Sequence, residues 1–214
     1  MNNPETIDFA RRFSAECIGT ILLAAILATA TVGIANSAQF YFLFVPFAIG
    51  LSLMVLTAIF GSVSGGHFNP GVTLAVFIAG GIKAQQAVIN IIAQVIGGYI
   101  GVQLARVFIS ALPPTPISMD SRAFIVEAIG AFILSAAVVA TVHGKVQNTI
   151  SPLVIGSALT IGSTLALAAS GGILNPAIAL GMGGYHLSYI LAPFLGAALA
   201  GAFIPWVLHT TKSK

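Results

Sequence analysis

One segment of nine residues, Ser64-Gly65-Gly66-His67-Phe68-Asn69-Pro70-Gly71-Val72, returns 106 positions later as Ser170-Gly171-Gly172-Ile173-Leu174-Asn175-Pro176-Ala177-Ile178. Ala15-Glu16-Cys17-Ile18-Gly19 has a counterpart in Val126-Glu127-Ala128-Ile129-Gly130, shifted by 111, and Gln94-Val95-Ile96-Gly97-Gly98 pairs with Pro193-Phe194-Leu195-Gly196-Ala197, shifted by 99. Apolar runs lie around these landmarks, at approximately 13–35, 40–60, 85–109, 123–143, 150–170 and 187–209. Each run is close to the roughly 20 residues that a helix needs to cross a bilayer core. Every half therefore holds three spans and one Gly-Gly-x-x-Asn-Pro segment. Three is odd, so the second half enters the membrane inverted relative to the first.

Composition supports the membrane assignment. Only 6% of the 214 residues are charged and 57% are hydrophobic, whereas a soluble domain carries about 25% charge. Such a chain cannot cover a water-facing surface, which excludes a soluble enzyme and a disordered protein. The 8 Lys+Arg stand against 5 Asp+Glu, too few to make a nucleic-acid-binding face. The single cysteine, Cys17, excludes an internal disulfide, and no Cys/His spacing suggests a metal site. No nucleophile–base pair, cofactor motif or phosphate loop is evident. A β-barrel would show short alternating segments instead of continuous apolar runs.

The expectation is an all-α membrane protein. It has six transmembrane helices, two re-entrant half-helices and an inverted repeat within a single domain over residues 1–214. Repeat one spans 9–110 and repeat two spans 121–209. The breaks carry turn residues: Asn36-Ser37, Pro113-Pro114-Thr115-Pro116, Gly144-Lys145 and Gly183-Gly184. With six spans, Arg11, Arg12, Lys83, Lys145, Lys212 and Lys214 share one side, and Arg106 and Arg122 lie toward the other. The basic excess places both termini in the cytoplasm. Residues 11–30 imitate a secretory signal ending in Ala28-Thr29-Ala30, but Glu16 and the continuing apolar run make them the first span.

Both Asn-Pro segments have the chemistry of a helix start. Asparagine is among the best N-caps, and proline suits the first helical position. From Pro70 to Gly80 there is room for about 15 Å of helix, half of a bilayer core. Pro176 meets Gly181 sooner. Two such half-helices entering from opposite faces would meet near the midplane, where irregular backbone must be buried in protein or line a cavity. Glu16 and Glu127 fall inside apolar spans, where ionisable groups serve function or structure. They read either as a proton relay or as acceptors for the N–H groups of the Gly-Gly loop in their own half. The repeat supplies one glutamate per loop, which favours the loop-supporting role.

At these residues the chain resembles the aquaporin, or major intrinsic protein, family. The likeness carries the glutamates of spans one and four, both Asn-Pro-Ala-type boxes and the Gly-small patterns of spans three and six. It implies a homotetramer in the plasma membrane with one passive pore per subunit. The pore boxes would be Asn69-Pro70-Gly71 and Asn175-Pro176-Ala177. Each asparagine would cap a half-helix and keep its amide free to donate to water or a small neutral solute. Carbonyls of Gly65, Gly66, His67 and Phe68, and of Gly171, Gly172, Ile173 and Leu174, would form an acceptor ladder.

The family's four filter positions transfer by spacing to Ile49, Ser163, Gly172 and Ile178. Two departures matter. Gly71 replaces the usual alanine of the first box, and Ile178 stands where most relatives carry an arginine. The resemblance then implies a wider, greasier filter that admits glycerol-sized or metalloid-hydroxide solutes as well as water. A proton-coupled secondary transporter and a strict water channel remain as alternatives. A non-conducting scaffold is a third.

Overall fold

The computed structural model describes residues 4–32, 38–109 and 121–209. The Asn36-Ser37 and Pro113–Pro116 breaks, Lys212 and Lys214 lie outside them. Among the described residues eight helices follow in order: α1 (Pro4–Val32), α2 (Ala38–Ser64), α3 (Pro70–Ile78), α4 (Ala84–Phe108), α5 (Ser121–Val142), α6 (Ser151–Ser170), α7 (Pro176–Gly181) and α8 (Leu187–Leu208). Six are long and apolar enough to cross a membrane, and α3 and α7 are the two short ones. At 1.5 Å per residue they reach only about 14 and 9 Å. The all-helical, six-span architecture is the expected one. Two boundaries differ: α1 begins at Pro4, ahead of the apolar stretch that starts near 13, and α2 runs to Ser64, past the stretch that ends near 60, because helical backbone continues until Gly65 turns to φ 98°.

The long helices expose their apolar side chains outward. Ile18, Leu22 and Ile26 on α1, and Val88, Ile92 and Tyr99 on α4, are all exposed, as a lipid-facing surface requires. Small residues carry the inner contacts. A Cβ on Gly97 would stand 2.5 Å from the Cys17 carbonyl, and Gly101 lies against Ile21, so α1 and α4 run parallel and touch backbone to backbone. Arg11, Arg12 and Lys83, near the N-terminal ends of these two helices, therefore share one end of the bundle. In the same way α5 meets α8 where Gly196 lies against Ala128, and α2 crosses α6 at Gly50 and Gly156. The small residues at these crossings thus serve contacts within the subunit.

Each short helix is held by the third span of the other half. α7 rests on α4, with Gly98 against Ala177 and Gly181. α3 rests on α8, where a Cβ on Gly201 would approach the Ala75 carbonyl to 2.5 Å. This exchange brings Asn69 and Asn175 together.

Candidate functional site: paired half-helix starts around a central cavity

The loop from Gly65 to Phe68 must turn a helix end back into the membrane. Gly65 and Gly66 take φ of 98° and 64°, and in the second loop Gly171 and Gly172 take 89° and 65°. Phe68 and Leu174 also adopt positive φ, 48° and 53°, which costs about 1–3 kcal/mol at a non-glycine residue. The loops are held there by carboxyl groups. Glu16 Oε1 accepts from Ser64 Oγ (2.7 Å) and the His67 N–H (3.0 Å), and Oε2 accepts from the Phe68 N–H (2.8 Å). Glu127 Oε1 accepts from Ser170 Oγ (2.6 Å) and the Ile173 N–H (3.0 Å), and Oε2 accepts from the Leu174 N–H (2.7 Å). Ser64 and Ser170 in turn accept from the N–H groups of Gly66 and Gly172, each at 3.2 Å. Both glutamates are fully buried.

Gly19 and Gly130, three residues after the glutamates, supply the remaining fit. Their missing side chains make room for the Phe68 ring and the Leu174 isobutyl group. Sequence reasoning recorded the Glu-x-x-Gly pattern in both halves without assigning the glycines. It also missed Ser64 and Ser170, although each begins a repeated box.

Asn69 caps α3, its Oδ1 accepting from the Gly71 N–H at 2.8 Å. Asn175 caps α7, accepting from the N–H groups of Ala177 (3.1 Å) and Ile178 (3.5 Å). The amide ends differ from the expectation that they stand free. Asn69 Nδ2 donates to the Leu174 carbonyl and Asn175 Nδ2 to the Phe68 carbonyl, each at 2.9 Å. Because an amide nitrogen carries two hydrogens, one N–H of each remains for a permeant. Phe68 and Leu174, placed in the acceptor ladder by resemblance, direct their carbonyls to these cross-loop bonds.

At the centre lies a cavity of about 20 Å³. That is room for one or two waters, since each needs about 10–15 Å³ on this measure. Its polar wall is His67, Asn69 and Asn175, and its apolar wall is Leu23, Leu27, Ile49, Leu53, Leu134, Leu159, Ile173 and Ile178. Of the four transferred filter positions, Ile49 and Ile178 line it. Ser163 and Gly172 are buried against each other, the serine hydroxyl donating to the Gly172 carbonyl at 2.8 Å. The hydroxyl expected in the ring is therefore committed to backbone.

A further polar cluster occurs in the first half alone. Gln94 Nε2 donates to Glu16 Oε2 (2.7 Å) and to Thr73 Oγ1 (2.8 Å), and His67 Nδ1 lies 3.1 Å from the same hydroxyl. Nothing local in the sequence signals it, because Gln94 and Thr73 meet across 21 residues. No group of three metal-ligating side chains occurs among the described residues.

Comparison with known proteins agrees with this architecture. Residues 3–204 match the major intrinsic protein family. The chain is 38% identical over 208 residues to Glycerol uptake facilitator protein-like 6 of Lactiplantibacillus plantarum, covering 89% of this chain and 94% of that protein. It is 31% identical to an aquaglyceroporin of Rhizobium meliloti, covering 97% and 94%, and 32% identical to mouse Aquaporin-8, covering 78% and 71%. Among solved structures, the aquaglyceroporin from Plasmodium falciparum superposes with a TM-score of 0.70 at 19% identity, over 92% of this chain and 94% of that one. The paired half-helices and the matched length place the chain in the major intrinsic protein family, as a multi-span membrane channel and not an enzyme.

Proposed function

We propose that the protein is a passive pore for water and small uncharged solutes of glycerol or metalloid-hydroxide size. It works as a homotetramer in the plasma membrane, with Arg11, Arg12, Lys83 and Lys145 on the cytoplasmic side together with both termini. The observation that carries this reading is the meeting of two capped helix starts at one cavity, where Asn69 and Asn175 each keep an N–H. A permeant oxygen accepts from those donors and passes its own hydrogens to loop carbonyls such as those of Gly65, Gly66, His67, Gly171 and Ile173. The helix starts present positive partial charge, which opposes cations and interrupts a proton wire. The hydrogen bonds to Glu16 and Glu127 support a loop-holding role for both carboxyls over a proton relay.

The solute class rests on Ile178. An arginine there would bring a fixed charge and five donors to the narrowest region. Isoleucine leaves an aliphatic wall facing Ile49, suited to the carbon side of a polyol. The relatives named for glycerol uptake and as aquaglyceroporins support that class. The small cavity favours a second reading, a strict water channel, unless the aliphatic tips of Ile49 and Ile178 turn aside for a larger solute.

Swelling of proteoliposomes in water and in glycerol decides between them. Wild type is expected to pass both. Ile178→Arg is expected to lower glycerol flux by about tenfold, a barrier increase of about 1.4 kcal/mol, and water flux much less. Wild-type vesicles that admit water but exclude glycerol would establish the strict water channel. Vesicles no leakier to water than empty ones would end the channel reading.

A further inference from the structure

The filter positions have mates in the other half. The 106-residue shift carries Ser163 onto Thr57, Gly172 onto Gly66, Ile178 onto Val72 and Ile49 onto Ile155. The paired hydrogen bonds at the centre obey the same relation, Asn69 to Leu174 matching Asn175 to Phe68. The mates therefore lie on the opposite side of the asparagine pair, toward the other mouth. Their packing follows suit. A Cβ on Gly66 would stand 3.4 Å from Thr57 Cα, and one on Gly172 would stand 2.7 Å from Ser163 Oγ. Val72 and Ile155 are buried in the same apolar cluster as Ile49 and Ile178.

The hydroxyls then part company. Ser163 donates to the Gly172 carbonyl. Thr57 is 7% exposed, and its Oγ1 has no partner. Threonines within helices commonly bond the carbonyl one turn back, as Thr20, Thr29, Thr141, Thr160 and Thr164 do here. Thr57 forgoes that bond, so a buried donor and acceptor are left without a partner inside the protein.

We propose that Thr57, Gly66, Val72 and Ile155 form a second solute-selecting ring, at the first-half mouth of the pore, with the Thr57 hydroxyl as its hydrogen-bonding group for water or a polyol. The inference rests on the channel reading above. With isoleucine at 178 the two mouths become near-equivalent, each an aliphatic pair beside a glycine and a hydroxyl. They differ in that the Ser163 hydroxyl is bonded to backbone within the protein and the Thr57 hydroxyl is not. Val72 and Ile155 would guide the carbon side of a polyol while its hydroxyls exchange with Thr57. Selection would then operate at both ends.

Two variants test this in proteoliposomes, with thermal unfolding measured in parallel. Thr57→Val keeps the shape and removes the hydroxyl. It is expected to lower the glycerol-to-water permeability ratio by about threefold with no loss of thermal stability, because no hydrogen bond within the protein is removed. Thr57→Ser should restore the ratio. Val72→Phe fills the ring and should lower glycerol flux by about tenfold or more. Folded Thr57→Val and Val72→Phe proteins with the wild-type ratio would overturn the ring. So would a Thr57→Val protein that loses stability while keeping its ratio, since the hydroxyl would then be structural. If wild type passes no glycerol, the solute reading fails separately, and the ring is judged on water: Val72→Phe must still reduce water flux by about tenfold, or the ring is wrong.

Discussion

The two halves of the chain solve one problem with different amounts of chemistry. Each must hold a loop with a left-handed residue inside the membrane, and each does so with a carboxyl, a serine and two consecutive backbone N–H groups. The first half adds Gln94, Thr73 and His67 around Glu16. Their mates, Pro193, Ala179 and Ile173, cannot reproduce those side-chain bonds. The third spans diverge along a whole face: Gln86, Asn90 and Gln94 on α4 correspond to Tyr185, just before α8, and to Tyr189 and Pro193 on α8. Tyr189 reaches the Ser170 carbonyl at 2.7 Å, while Gln86 bonds Asn90 at 2.6 Å. What both halves retain is therefore the smallest set that satisfies the loop, and the additions are specific to one side.

The largest effect should come from removing the shared element. Glu127→Leu leaves the Ile173 and Leu174 N–H groups without their acceptor in a buried loop, while the Ser170 hydroxyl keeps the Ala166 carbonyl at 2.9 Å. At about 1–3 kcal/mol for each orphaned group, the loss amounts to several kcal/mol and threatens folding. Glu16→Leu orphans the equivalent His67 and Phe68 N–H groups and, in addition, the Ser64 hydroxyl and one N–H of Gln94, so its loss should be the larger. The milder Glu16→Gln and Glu127→Gln keep one accepting oxygen and should fall between these and wild type. Thermal unfolding in detergent ranks the four. A Glu127→Leu protein as stable as wild type would show that the carboxyl is dispensable, and the comparison would lose its common term.

How far this arrangement could be read in the sequence follows the same division. The six spans were legible because lipid demands long apolar runs. The starts of α3 and α7 were legible because Asn-Pro is a capping pair whose chemistry is local. Assigning Glu16 and Glu127 to their loops needed only the repeat. The left-handed Phe68 and Leu174 were not legible, since neither is glycine and the conformation is imposed by N–H bonds to a residue about 50 positions away. Nor was the exchange of amide bonds between Asn69 and Asn175, which exists only once α3 and α7 sit on opposite partner helices. The Gln94–Thr73 contact is likewise a product of packing. Ser163 shows the limit of positional transfer: spacing located it beside Gly172 but could not say which way its hydroxyl would point.

A second pair of variants sharpens the symmetry at the centre. Asn69→Ala loses a cap on one N–H and the bond to Leu174; Asn175→Ala loses a cap on two N–H groups, one of them long, and the bond to Phe68. A lost cap costs about 1 kcal/mol and a lost neutral hydrogen bond about as much again, so each variant should fall by about 2 kcal/mol. The two losses should agree within about 0.5 kcal/mol, the ordinary error of such comparisons. Both should also raise proton or cation leak in proteoliposomes, because a donor and an ordered helix start are lost together. A strongly unequal pair would mean that one half-helix carries the central point alone.

The smallest effect is expected at Gln94, where the halves differ. Gln94→Leu removes the donor to Glu16 Oε2 and to Thr73, two bonds that the second half does without. It also removes Gln94 Oε1, a buried acceptor with no partner, so part of the loss is offset. The Glu16 carboxyl keeps Ser64 and two backbone N–H groups, the complement that suffices for Glu127 and its loop. Destabilisation should be about 1 kcal/mol, well short of Glu16→Leu, with water flux near wild type. The competing view is that Glu16 depends on its fourth donor because the first loop, with His67 in place of Ile173, packs a larger polar ring that must be anchored through Thr73. Thr73→Val separates the two, since it removes the anchor for His67 while sparing the Gln94–Glu16 bond. If Gln94→Leu and Thr73→Val both approach the cost of Glu16→Leu, the first loop is one cooperative cluster, and the second half is a differently built loop instead of its reduced form.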